Sequence, residues 1–132
     1  MAGEAGMTLL KAHKIDFRIL DKPDVPVRKF ASGETIIAEG SVAHEMFLVR
    51  KGQAEIRIKD EPIEEVGPGG IFGEMALIDQ STRSATVVAV EDSEIVPINE
   101  RLFVILVQDA PYFALDVMRT LVGRIRAMNQ RI

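Results

Sequence analysis

The chain has no cysteine, only two histidines, no surplus of positive charge and no apolar run long enough to span a bilayer. Each absence removes a class of function. Without thiols there is no disulfide scaffold, no iron–sulfur sensor and no cysteine nucleophile. His13 and His44 are far apart in sequence and form no His-x-His pair, so the usual metal site of a cupin-like β-barrel enzyme is left unbuilt. His44-Glu45 opens like a zinc-protease motif, but no second histidine follows. Short apolar runs, and an N-terminus (MAGEAGMTLLKAHK) without the layout of a signal peptide, point to a soluble, cytoplasmic protein with no membrane partner. Sixteen Lys and Arg against 20 Asp and Glu give a net charge of −4, which argues against a broad nucleic-acid surface and leaves only local basic patches.

Nucleotide and acid/base motifs of the familiar enzymes are missing too. Gly67, Gly69, Gly70 and Gly73 do not fit G-x-G-x-x-G, because Phe72 occupies the last required place, and no G-K-S/T phosphate loop occurs. No Ser-His-Asp or Cys-His arrangement stands out. Glu64 and Glu65 are neighbours on a candidate strand and point to opposite faces, which makes them a poor acid/base pair. The chain reads as a non-enzyme without catalytic residues, metal ligands or a cofactor.

What is present is a pattern of short β-runs. With 132 residues and 47% hydrophobic content the chain is one domain with enough apolar side chains for a real core. A short helix is expected over Met7 to Leu20, ended by Pro23 and Pro26. From Val27 the pattern becomes short alternating runs punctuated by glycine. Candidate strands are Val27 to Phe30, Thr35 to Ala38, Met46 to Arg50, Ala54 to Lys59, Glu64 to Val66, Ala85 to Ala89 and Glu94 to Ile98. Turns are expected at Ser32-Gly33, Glu39-Gly40, Lys51-Gly52, Asp60 to Pro62 and Gly67 to Gly70. Strands at this spacing imply a small sandwich, jelly roll or barrel. Asn99 is placed to cap a helix over Glu100 to Gln108, and Pro111 ends it and permits another over Tyr112 to Arg131. The units are thus an N-terminal helical segment (1–26), a β-rich body (27–98) and two C-terminal helices (99–132).

The segment FGEMALIDQSTRSATV, Phe72 to Val87, carries the chemistry. Gly73 lets backbone approach a ligand closely, and the residues after it can start a short helix whose free N–H groups face an anion. Arg83 supplies a guanidinium fork that matches phosphate oxygens, with Ser84 and the Ala85 amide as further donors. Glu74 is out of place beside an anion unless it faces another part of the ligand and accepts a hydrogen bond from a hydroxyl. A ribose 2′-OH meets that requirement.

These residues resemble the phosphate-binding cassette of the cyclic nucleotide-binding domain, shared by catabolite-activator-type regulators, cyclic-nucleotide-dependent kinases and gated channels. The match runs through Phe72, Gly73, Glu74, Ala76, Leu77, Arg83, Ser84, Ala85, Thr86 and Val87. Thr82 stands where many members have proline. MFLVRKGQAEI (Met46 to Ile56) resembles the family's strand, glycine turn and strand. The resemblance implies a mainly β double-stranded β-helix, or jelly roll, with a short N-terminal helix and two C-terminal helices. It implies a cyclic nucleotide ligand, cyclic AMP before cyclic GMP. The ligand set it implies is Phe72, Gly73, Glu74, Met75, Ala76, Arg83, Ser84 and Ala85, with Ile63, Ala54 and Ile56 lining a base pocket. Arg124, Met128 and Asn129 fall nearest the base by position in the last helix.

That helix carries Ala114, Met118, Leu121, Ile125, Met128 and Ile132 in alternating steps of four and three, a heptad seam. The seam either packs on the β body, or caps the ligand, or pairs with a second copy in a homodimer. Regulators of the resembling family continue into a helix-turn-helix, and this sequence stops at Ile132, so no DNA contact by that route is expected. Output then falls to a protein effector that senses the helices. The competing reading is an interaction module that keeps the fold and has given up nucleotide.

Overall fold

The computed structural model describes Leu20, residues 25–79 and residues 82–131. The helix expected over Met7 to Leu20 lies outside them, except for Leu20 itself, which is buried. Eight strands follow: β1 (Arg28–Phe30), β2 (Thr35–Ile37), β3 (Glu45–Lys51), β4 (Ala54–Ile58), β5 (Glu61–Val66), β6 (Ile71–Phe72), β7 (Thr86–Ala89) and β8 (Ser93–Asn99). A short helix α1 (Glu74–Asp79) interrupts them, and α2 (Glu100–Asp109) and α3 (Tyr112–Arg131) follow. The strands form two four-stranded sheets, β1-β8-β3-β6 and β2-β7-β4-β5. Every pairing is antiparallel. This is the mainly β roll that the sequence resemblance implies.

Strand alternation divides the core in two. Successive side chains of a strand point to opposite faces. In β3, Phe47 and Val49 enter the cluster between the sheets with Val66, Phe72, Val87 and Ile95. Met46 and Leu48 enter a second cluster with Val96, Ile98, Leu106, Phe113 and Val117, beneath the C-terminal helices. β3 is therefore buried on both faces, which is why MFLV reads as an unbroken apolar run. β8 behaves the same way.

Six of the seven anticipated strands match within one residue at each end. The exception is β5, which starts at Glu61, not Glu64. The turn sits at Lys59-Asp60, not at Asp60 to Pro62: both turn residues have positive φ, 51° and 66°, as a two-residue hairpin turn demands. β6 was not anticipated, since two residues between glycines carry no periodicity. Ile71 joins the outer cluster and Phe72 the inner one.

Asn99 caps α2 as expected, its side chain accepting from the Leu102 amide at 2.9 Å. The heptad seam of α3 is split between covered and exposed positions. Phe113, Val117 and Thr120 form its buried face, whereas Met118 and Ile125 are 51% and 56% exposed. The seam is divided: Leu121 packs on the outer core and Met128 lines a cavity beside the β body, whereas Met118 and Ile125, with Leu115 and Val122, look outward. Sequence spacing defines a stripe but not which of two adjacent stripes is covered, and the bulky Phe113, tilted against Phe103 at 5.5 Å, decides it.

Candidate functional site

A cavity of about 200 Å³ opens between the β2-β7-β4-β5 sheet, α1 and the end of α3. Its shape follows from local backbone choices. Gly73 has φ +76°, and a Cβ there would lie 2.7 Å from Arg83 Nη1 and 3.2 Å from Ile37 Cδ1. Only glycine gives both the turn and the room for the guanidinium. α1 then starts directly at Glu74.

Arg83 sits in the connection between α1 and β7, pinned to the β2–β3 loop by two backbone bonds: its amide donates to Ser41 O at 2.9 Å and its carbonyl accepts from the Gly40 amide at 2.8 Å. The side chain is 8% exposed. Its Nη1 donates to Gly73 O at 3.0 Å and its Nη2 to Glu45 O at 2.6 Å. The guanidinium lies 5.5 Å from the centroid of the Phe47 ring, which stacks on Phe72 at 5.3 Å. Among the described residues no carboxylate makes an ion pair with it. Burial accordingly lowers its pKa below the usual arginine value, and the negative charges of Glu45 and Glu74 only partly oppose this. Arg83 is a desolvated cation held by neutral acceptors, an arrangement that an entering anion stabilises.

The opposite wall holds an ion-pair cluster. Arg124, on α3, donates from Nε and Nη2 to the two oxygens of Glu64 at 3.0 Å each, from Nη1 to Glu74 Oε1 at 2.5 Å, and from Nη2 to Ile71 O at 2.5 Å. Burial works against this charge, but the attractions of Glu74 and Glu64 outweigh it, so the Arg124 pKa is raised. The remaining lining is apolar, chiefly Ile56, Ile58, Ile63 and Met128. The cavity thus offers a cation, a carboxylate with its own cation, and an apolar slot.

The sequence-predicted residues Phe72, Gly73, Glu74, Met75, Arg83, Ser84, Ala85, Ile63, Arg124 and Met128 all line this one cavity. Ala54 does not. It is fully buried in the inner core, paired with Val66 and Ala89, while Ile56 and Ile58 on the same strand reach the cavity. Asn129 is exposed and outside the lining, and the Ala76 side chain lies outside the described structure. Glu64 was missed as a site residue. In the β4–β5 ladder Ile56 faces Glu64 and Arg57 faces Pro62, so Ile63 is an extra, bulged residue. The bulge breaks the alternation and lets consecutive Ile63 and Glu64 both line the cavity. No spacing rule shows a bulge in advance. The one signal was Arg124, a cation between the apolar Leu121 and Ile125, which calls for an acidic partner without saying which.

The fold and the site together define a β-roll domain whose cassette and final helix line one pocket. Residues 27–110 match the cyclic nucleotide-binding domain, and the chain belongs to that family. It is 30% identical over 104 residues to the cyclic AMP receptor protein of Thermus thermophilus, covering 75% of this chain and 48% of that one. It is 34% identical over 93 residues to a cyclic nucleotide-gated potassium channel of Rhizobium etli, covering 70% of this chain and 26% of the channel. The chain therefore spans about half the length, or less, of these relatives. Among solved structures it resembles the Thermus thermophilus catabolite activator protein, with a TM-score of 0.72 and 28% identity over 81% of this chain and 53% of that one. A structure from a cyclic-GMP-dependent signalling pathway of bacterial phytopathogenesis gives a TM-score of 0.74 and 28% identity, covering 88% of this chain and 98% of that one.

Among the described residues, no helix is long and apolar enough to cross a membrane.

Proposed function

We propose that this chain is a non-catalytic sensor that binds a cyclic nucleotide, cyclic AMP before cyclic GMP, and passes occupancy on through its C-terminal helices. The observation that carries this reading is Arg83: a buried guanidinium, turned to the cavity and without a carboxylate partner among the described residues. A cyclic phosphate supplies the missing anion, with Ser84 beside it as a donor. Glu74, across the pocket, takes the ribose hydroxyl, and the apolar slot between Ile58, Ile63 and Met128 takes the base. No side chain in that slot reads a base edge, so the preference for cyclic AMP rests on likeness to the cyclic AMP receptor protein. Ser84 serves either nucleotide.

Calorimetric titration with cyclic AMP and cyclic GMP, beside Arg83→Leu, tests the reading. Removing one partner of a buried charge pair costs about 2 to 5 kcal/mol, or roughly thirty-fold to several-thousand-fold in affinity. We expect micromolar or tighter binding that is lost in the variant. No heat with either nucleotide sinks the sensor and leaves the second reading, a protein-interaction module. The outward stripe Leu115, Met118, Val122 and Ile125 favours that reading, since an apolar helix face without cover fits a protein partner or a second copy.

A further inference from the structure

Methionine supplies all the sulfur in this chain, which has six methionines and no cysteine. Met1 and Met7 lie outside the described residues, and the other four fall into three environments. Met46 is fully buried in the outer core. Met118 is half exposed on the outward face of α3. Met75, on α1, and Met128, near the end of α3, are 56% and 59% exposed, and both line the cavity that holds Arg83. Two accessible thioethers from different elements thus meet one space, beside a wall built chiefly of Ile56, Ile58 and Ile63. Methionine is a flexible apolar filler that adapts to a ligand. Exposure adds a reactivity that leucine in the same places would lack, because oxidation of sulfur follows access.

Resting on the cyclic nucleotide reading, we propose that Met75 and Met128 are modification sites for a peroxide, and that their oxidation weakens nucleotide binding. The thioether sulfur attacks one peroxide oxygen. An S–O bond forms as the O–O bond breaks, the sulfur gives up an electron pair, and the departing hydroxide takes the proton of the transferred oxygen and leaves as water. The product is a sulfoxide, polar where the thioether was apolar. Its oxygen then stands beside isoleucines that offer no donor, while the Arg124 guanidinium is engaged by Glu64, Glu74 and Ile71 O. A base entering the apolar slot desolvates that oxygen without a protein donor in the slot to compensate, which costs affinity. Methionine sulfoxide reductases reverse the change. Nucleotide in turn covers both sulfurs, so oxidation and binding oppose each other at one site.

The test treats the full chain with graded hydrogen peroxide, with and without saturating cyclic AMP. Peptide mass spectrometry locates the added oxygen, and calorimetry titrates the products with cyclic AMP and cyclic GMP. Met75 and Met128 should oxidise along with Met118, while Met46 stays unmodified as the sign of an intact fold. Cyclic AMP should slow oxidation at Met75 and Met128 and leave Met118 unaffected. The chain carrying both cavity sulfoxides should bind roughly tenfold to a hundredfold more weakly, the cost of a desolvated polar group without a partner, and reductase treatment should restore the affinity. Whatever its own starting affinity, the Met75→Leu, Met128→Leu chain should show no change on peroxide treatment, whereas Met118→Leu should lose as much as the unaltered chain. If the paired variant binds too weakly to titrate, the single variants carry the comparison, each losing less on treatment than the unaltered chain. Full modification of Met75 and Met128 without loss of affinity overturns the proposal while the sensor reading stands. So does a loss that persists in the paired variant, or a cavity pair that resists peroxide at doses that oxidise Met118. Failure of the untreated chain to bind either nucleotide removes the sensor reading and this inference with it.

Discussion

Gly73 joins backbone strain to ligand chemistry at a single residue. Its φ of +76° belongs to the left-handed region, and a Cβ would press on Arg83 Nη1 at 2.7 Å. Gly33 has a similar φ, +92°, with nothing within 4 Å of the same added atom. The pair separates two effects. Alanine at either site carries the left-handed penalty of about 1–2 kcal/mol, but only Gly73→Ala displaces the Arg83 guanidinium. Urea melts should show both variants destabilised by about that amount, and calorimetry should show nucleotide affinity reduced in Gly73→Ala alone. Equal affinity loss in the two variants would mean that the Arg83 contact is irrelevant. At this scale Gly73, Glu74 and Arg83 were legible because the cassette keeps them within one short segment. Glu64 was not, because a bulge put it there, and Ala54 was misplaced, because nothing in an alternating strand says where the core ends and the cavity begins.

Elements are governed by what covers them. β3 and β8 are legible as apolar runs because both faces are buried, one between the sheets and one under α2 and α3. The start of α2 is legible because Asn99 is a good cap, and Asn99→Ala should lower stability by about 1 kcal/mol in a thermal or urea melt. No change in the melt would show that water replaces the cap at no cost. α3 shows the limit of pattern reading. It has two faces: Phe113, Val117 and Thr120 pack inward, while the apolar Leu115, Met118, Val122 and Ile125 repeat in steps of three and four on the outside. That repeat is the spacing of a two-stranded coiled coil. If a second copy covers it, sedimentation should give a dimer for the full chain and a monomer for Ile125→Glu, whose charge would be buried in the seam. A monomer for both, at concentrations where the chain is otherwise well behaved, removes the homodimer and leaves the face to another protein.

For the whole molecule, the two cores share β3, β6 and β8 as a common wall, and the cassette touches both. Phe72 is part of the inner core, and Leu77 of α1 packs on the outer core together with Leu102, Phe103 and Leu121 of α2 and α3. A ligand shifts an equilibrium only through different affinity for its two states. On the proposed reading, phosphate binding at Arg83 would draw on Gly73 O, which the guanidinium holds at 3.0 Å, and so would act directly on the start of α1. Motion of α1 would carry Leu77, and Leu77, packed on the cluster that holds Leu106, Phe113 and Val117, is the side chain through which the helices would feel it. Hydrogen exchange of the full chain should therefore show changed amide protection in α2 and α3 at saturating nucleotide. Leu77→Ala should bind with nearly the original affinity yet lose most of that helix response, because the cradle at Arg83 stays intact while the contact between cassette and helices is cut. Equal protection with and without ligand in the unaltered chain would refute coupling through the helices. An undiminished response in Leu77→Ala would move the coupling to the remaining link across the pocket, the Arg124 bridge from α3 to Glu74 and Glu64.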